Sequence, residues 1–77
     1  MTYHFSAVIH QEELSDGSPI FVAHCPEIDV TSQGQSRDEA MSNLKEAVEG
    51  VLEIASPTEI ERRLQAGAFV APLEIAA

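Results

Sequence analysis

The sequence predicts an α+β domain: an antiparallel three-stranded meander covered by one long helix, followed by a short helix and a C-terminal strand. Three observations predict it. Residues 36–55 (SRDEAMSNLKEAVEGVLEIA) place apolar side chains at steps of three and four, the period of a helix lying on a surface. Before it come three stretches with strand character, the first alternating at a period of two. The links between those stretches are short, which makes sequential antiparallel pairing the simplest topology.

Tyr3 to His10 (YHFSAVIH) sets Tyr3, Phe5, Ala7 and Ile9 on one side and His4, Ser6, Val8 and His10 on the other. A strand with its apolar row inward is expected there. Gln11 to Pro19 is polar and contains the turn pair Asp16-Gly17, so a hairpin loop is expected, longer than a tight hairpin needs. Ile20 to His24 (IFVAH) is a short strand rich in β-formers. Pro26 has no N–H to give to a ladder, so it ends that strand or lies on an open edge. Glu27-Ile28-Asp29 turns the chain, and Val30 to Gln35 (VTSQGQ) is a more polar third strand.

Ser36 caps the long helix, with Glu39 completing a capping box. Ala40, Leu44, Ala47, Val48, Val51, Leu52 and Ala55 make its apolar stripe, with Met41 at the edge. Ser56-Pro57-Thr58-Glu59 repeats the start signals: a Ser cap, Pro at the first helical position, and Glu three residues after the cap. Ile60 and Leu64 share a face of this short helix, and Gly67 stands at the C′ position. Ala68 to Ala76 (AFVAPLEIA) reads as extended, with Phe69, Ala71, Leu73 and Ile75 on one side. Pro72 blocks one ladder bond there, which suits an edge strand or an arm reaching another subunit. Residues 1–55 are thus the core, and residues 56–77 a short helix plus strand or arm of the same domain.

A chain of 77 residues buries only about 60% of its unfolded surface, so its core alone is marginal. Its single cysteine, Cys25, forms no intramolecular disulfide, and with no recognisable signal peptide a cytoplasmic location is expected. No apolar run reaches the length of about 20 residues that a membrane span needs. Oligomerisation is then the remaining common way to stabilise so small a fold, and a homodimer or higher assembly is expected. The net charge of −9, from thirteen acids against four bases, weighs against nucleic-acid binding and suits attraction of a basic partner, or simply solubility.

Catalytic and metal-binding chemistry find little footing. His4 and His10 share a strand face but lie about 20 Å apart at 3.3 Å per residue, and His24 brings at most a second ligand, short of a zinc site. Cys25 follows His24 directly, so the two side chains point to opposite faces and the histidine is badly placed to activate the thiol. Glu12, Glu13 and Asp16 fall in the loop, while Glu46, Glu49 and Glu53 line a solvated helix face, with no Gly-rich phosphate loop beside them. Neither a catalytic residue nor a cofactor is expected. Gly50 interrupts a strong helix at a cost of about 1 kcal/mol relative to Ala. It either permits a close approach or is neutral on an exposed turn. Pro26-Glu27-Ile28-Asp29 puts two acids in a stiff turn, ordinary turn chemistry unless a partner reads it.

The run from Phe21 to Ala55 resembles the HicB family of antitoxins. The likeness lies in the order of its parts: a strand ending at Pro26-Glu27, then Ser32-Gln33-Gly34, then a capped helix carrying Glu39-Ala40 and Asn43-Leu44-Lys45-Glu46-Ala47. The first strand and its loop fit the same pattern, so the resemblance covers about Tyr3 to Ala55. It departs at Ile28-Asp29-Val30, where family members often carry Pro-Gly-Cys after a Pro-Glu-Leu turn.

The resemblance implies a β-β-β-α core similar to part of a ribonuclease H fold, without its catalytic carboxylates. It implies an antitoxin, not an enzyme, that neutralises a small basic mRNA-cleaving toxin of the HicA type by masking its active site. The acidic charge is physically consistent with such a partner, and Pro26, Glu27 and Asp29 are the expected contacts. Many family members add a C-terminal DNA-binding domain. This sequence has only Arg62 and Arg63 as a basic pair after the long helix, so DNA binding by that route is not expected. Two other readings stand beside this one: an RNA-binding or ribonuclease H-related nucleic-acid domain, and a regulatory dimer with no toxin partner.

Overall fold

The computed structural model describes residues 2–77. Five elements follow in chain order: β1 (Val8–Glu13), β2 (Pro19–Cys25), β3 (Val30–Gly34), α1 (Arg37–Ile54) and α2 (Pro57–Ala66). The strands form one antiparallel sheet in the order β1-β2-β3, the expected meander. Val8 pairs with His24 and Glu13 with Pro19, while Phe21 pairs with Gly34 and Cys25 with Val30. This register sets Ile9 beside Ala23. Ile9, Phe21, Ala23 and Cys25 thus join one apolar cluster with Ala40, Leu44 and Val48 of α1, and Phe5, Ala7, Ile28 and Val30 complete it.

β1 differs from the sequence expectation at both ends. It starts at Val8 rather than Tyr3. Continued backwards, its register would set Ser6 opposite Pro26, which has no N–H, so the ladder stops short of that pair. Phe5 and Ala7 still pack against the core, with the inward row intact although the strand is not. At the other end β1 runs on through Gln11, Glu12 and Glu13, because ladder pairing needs backbone groups and not apolar side chains. The connection is therefore tight. Leu14 N–H donates to Ser18 O (2.8 Å), Gly17 N–H donates to Leu14 O (2.9 Å), and Gly17 sits at φ 86°. This is a three-residue hairpin with glycine in the left-handed position. The Asp16 carboxylate accepts from the Ser18 N–H at 2.9 Å and braces it.

α1 begins as its sequence predicts. Ser36 Oγ accepts from Glu39 N–H (3.0 Å), and the Glu39 carboxylate accepts from the N–H of Gln35 at 3.1 Å, one residue before the cap. Asn43 Nδ2 donates to Gln33 O (2.9 Å), fastening the helix to β3. Gly34 makes the close entry possible. A Cβ there would stand 2.5 Å from Ala40 N and 2.9 Å from Glu39 C, both backbone atoms. The stripe is fully buried only at Ala40 and Leu44. Further along, Val48, Val51 and Leu52 are half-buried and Ile54 is 88% exposed. At 1.5 Å per residue the helix is about 27 Å long and outruns its three-stranded seat.

α2 has its Ser56 cap on Glu59 N–H (3.2 Å) and buries Ile60. Gly67 is its C-cap at φ −77°, so it does not take the left-handed C′ conformation expected of it. Residues 68–77 form no strand in this chain. The first of them, Ala68, donates its N–H to Pro26 O (2.9 Å), a turn carbonyl rather than a strand edge, and the tail thus starts away from any ladder. The radius of gyration, 14.5 Å, exceeds the value of about 11.5 Å for a compact chain of this length. Among the described residues, no helix is long and apolar enough to cross a membrane.

Two substitutions test the packing by urea unfolding. A Cβ at Gly50 meets nothing within 4 Å, so no close approach requires the glycine there. Gly50→Ala should stabilise the fold by about 0.5–1 kcal/mol, the backbone-entropy difference in a helix interior. Gly34→Ala should destabilise it by roughly 1–3 kcal/mol, because the backbone of α1 must move to admit the methyl group.

Candidate functional site

The turn between β2 and β3, residues 26–29, is where distant segments meet. Glu27 is half-buried. Its two carboxylate oxygens accept from the Ser6 N–H at 2.9 and 3.0 Å. The Glu27 side chain thus supplies the acceptor for an N–H that lies outside the ladder. Cys25 Sγ also donates to Glu27 Oε1 at 3.5 Å. From the other side comes α2. Arg63 Nη1 donates to Ile28 O (3.4 Å), and the Arg63 guanidinium lies 3.6 Å from Glu59 on the same helix. Arg63 Nε is buried without a hydrogen-bond partner. Gly67 passes so close that a Cβ would collide with the carbonyl oxygen of Glu27 and stand 3.0 Å from that of Pro26.

Charge at the turn follows from these contacts. Burial pushes the Glu27 carboxyl up, but the backbone N–H and hydroxyl of Ser6 outweigh it, and the group lies below its ordinary value of 4.5. Burial likewise pushes the Cys25 thiol above its ordinary 9.0, and the adjacent Glu27 carboxylate adds to the shift. At neutral pH Cys25 is therefore a protonated thiol, 1% exposed and inert as a nucleophile.

Of the three expected contact residues, the turn commits two to the fold. Pro26 gives its carbonyl to Ala68, and Glu27 clamps Ser6. Asp29 is different. It occupies the left-handed region at φ 55°, its side chain is 85% exposed, and its carboxylate lies 3.6 Å from His24 Nε2. An aspartate tolerates that backbone better than most residues, which explains an acid at this tip. The structure thus brings Pro26, Glu27 and Asp29 together but leaves only Asp29 free to meet a partner.

Sequence reasoning missed Ser6, Arg63, Gly67 and Ala68 as members of this cluster. Ser6 carried no local signal, because its acceptor is a side chain 21 residues away. Arg63 and Gly67 carried none, because their role depends on how α2 folds back.

Comparison with protein-family models, curated proteins and solved structures finds no match.

The other candidates separate in space. His24 lies on the open sheet face with Nδ1 2.6 Å from Thr31 Oγ1, while Cys25 points into the core, as the alternation of a strand requires. His10 shares the open face and sits 2.7 Å from Glu12. Among the described residues, no three of His, Cys, Asp and Glu come together to hold a metal ion. Of the four bases, Arg37 stacks over Phe21 (5.8 Å to the ring centroid) and Lys45 lies 3.9 Å from Glu49. Arg63 is occupied by Ile28 and Glu59.

Two outcomes test the turn. Gly67→Ala should release the end of α2 from residues 26 and 27, seen as faster proteolysis after residue 56 at roughly unchanged far-ultraviolet circular dichroism of the core. Acidification probes Glu27. A carboxyl held below its ordinary 4.5 contributes stability above that pH and loses it as the pH falls through the folded value. Thermal unfolding of Glu27→Gln should therefore vary less than wild type as the pH is lowered from 6 to 3; equal slopes would show that Glu27 is not clamped.

Proposed function

We propose that this protein is an antitoxin-like binding module of the HicB type that neutralises a small basic mRNA-cleaving toxin by masking its active site. The observation that carries the reading is the β2–β3 turn. It presents an exposed carboxylate, Asp29, on a turn held by Arg63 and Ala68 through its carbonyls and by Ser6 through the Glu27 side chain. A charge held in place before binding loses little conformational freedom on association, which is what an electrostatic contact to a basic active site needs. The surrounding field supports it. The net charge is −9, and three of the four bases are engaged within the chain.

The order β-β-β-α supports a finer reading of the core as a partial ribonuclease H-like arrangement acting as a scaffold. With Arg63 turned inward, Arg62 is the only exposed member of the basic pair, which agrees with a protein partner rather than DNA. Cytoplasmic action follows from the toxin's substrate.

The test looks for a neighbouring gene for a small basic ribonuclease, mixes its product with the purified protein and follows RNA survival. Protection, with formation of a stable complex, is expected. Asp29→Lys should weaken the complex tenfold or more, about 1.4 kcal/mol, and slow its association most at low salt. Absence of a complex together with unprotected RNA would overturn the reading.

A further inference from the structure

Two apolar features of this chain have no counterpart within it. The first is a trough between residues 2–7 and α1, a groove of about 810 Å³ whose apolar lining includes Tyr3, Phe5, Leu44, Val48 and Leu52. It continues past Tyr3 and Leu52 toward Ile60 and Leu64 of α2. The second is the tail after Ala68. Phe69, Leu73 and Ile75 are 92%, 85% and 75% exposed, and Val70 is 49% exposed. Phe69, Leu73 and Ile75 stand on one side of an extended segment, with Glu74 and Pro72 on the other.

We infer that the tail of one copy lies in the trough of a second copy, and that the exchange is reciprocal, forming a two-fold homodimer. Length agrees. The row from Phe69 to Ile75 spans about 20 Å at 3.3 Å per residue, and α1 from Met41 to Leu52 runs about 17 Å. Area agrees as well. A buried phenyl removes about 150 Å² from water and an aliphatic side chain roughly 60–120 Å². Two exchanged arms and the troughs that receive them then cover on the order of 1,600 Å², the size of a standard stable interface. A shared two-fold axis makes each contact occur twice.

The occupant is a second copy rather than the chain's own tail. Ala68 is tied to Pro26, and the tail beyond it leaves its own trough open although it is tethered nearby, where a reachable seat would fill first. The open face of the sheet is a weaker candidate for the interface. It mixes Val8, Ile20 and Val22 with His10, Glu12, His24, Thr31 and Gln33, a composition more polar than that of the trough.

The experiment uses the whole chain alone, without any toxin, so its outcome is independent of the proposed function. Light scattering at micromolar concentration should give a two-chain mass for wild type and a one-chain mass for Phe69→Asp and Leu73→Asp. Both sites are exposed in the single chain, so circular dichroism should be unchanged. A one-chain mass for wild type, or a two-chain mass for both variants, would overturn the inference. A second measurement locates the seat. Chains carrying Leu73→Cys and chains carrying Lys45→Cys, at the trough rim, are mixed and treated with a short bismaleimide. Cross-linked pairs holding one of each are expected. Failure to form them, or closure within a single chain carrying both substitutions, would contradict it.

Discussion

The turn that begins at Pro26, whose missing N–H falls where two strands end, gathers more of this molecule than any other feature. Pro26 ends β2, and through the register it also ends β1, so the Ser6 N–H takes its acceptor from outside the ladder. Glu27, the next residue, supplies one from its side chain. The carboxylate is thereby drawn into the turn and desolvated, and its companion Cys25 is held as a neutral thiol beneath it. The Pro26 carbonyl, free of any ladder duty, takes the N–H of Ala68. Contacts from both ends of the chain thus converge on these four residues.

That convergence matters because the core is small. Ala23, Cys25, Ile28, Ala40 and Leu44 are its buried heart, three of them no larger than a cysteine. A cluster of that size holds α1 to the sheet at one end only, and α2 makes few apolar contacts beyond Ile60. Polar ties at the turn therefore contribute where burial is thin. Each is a net gain of about 0.5–1.5 kcal/mol, small alone and appreciable against the marginal stability of a short domain. The same ties restrain the backbone on either side of the exposed Asp29.

Much of the architecture was legible in the sequence because its signals are local. Ser36 and Ser56 announce both helices through caps that need only their own first turn, and the three-four spacing from Ala40 to Leu52 names the face that α1 buries. The inward row of Phe5, Ala7 and Ile9 was equally plain. What could not be read was non-local. The limits of β1 depend on a proline just past the end of β2, and the role of Gly67 depends on α2 folding back to within contact of Glu27. The C-terminal stretch shows the converse. Its alternation is real, but a strand needs a partner edge, and within one chain the tail begins at a turn instead.

Taken together, the turn is a clasp that ties segments from both ends of the chain and leaves one carboxylate exposed. Amide hydrogen exchange at Ser6 and Ala68 tests this most directly, since both lie outside every helix and strand. If the clasp exists, these two amides exchange more slowly than those of His4 and Val70 nearby. Exchange of Ser6 and Ala68 at the rate of an unstructured chain would contradict it.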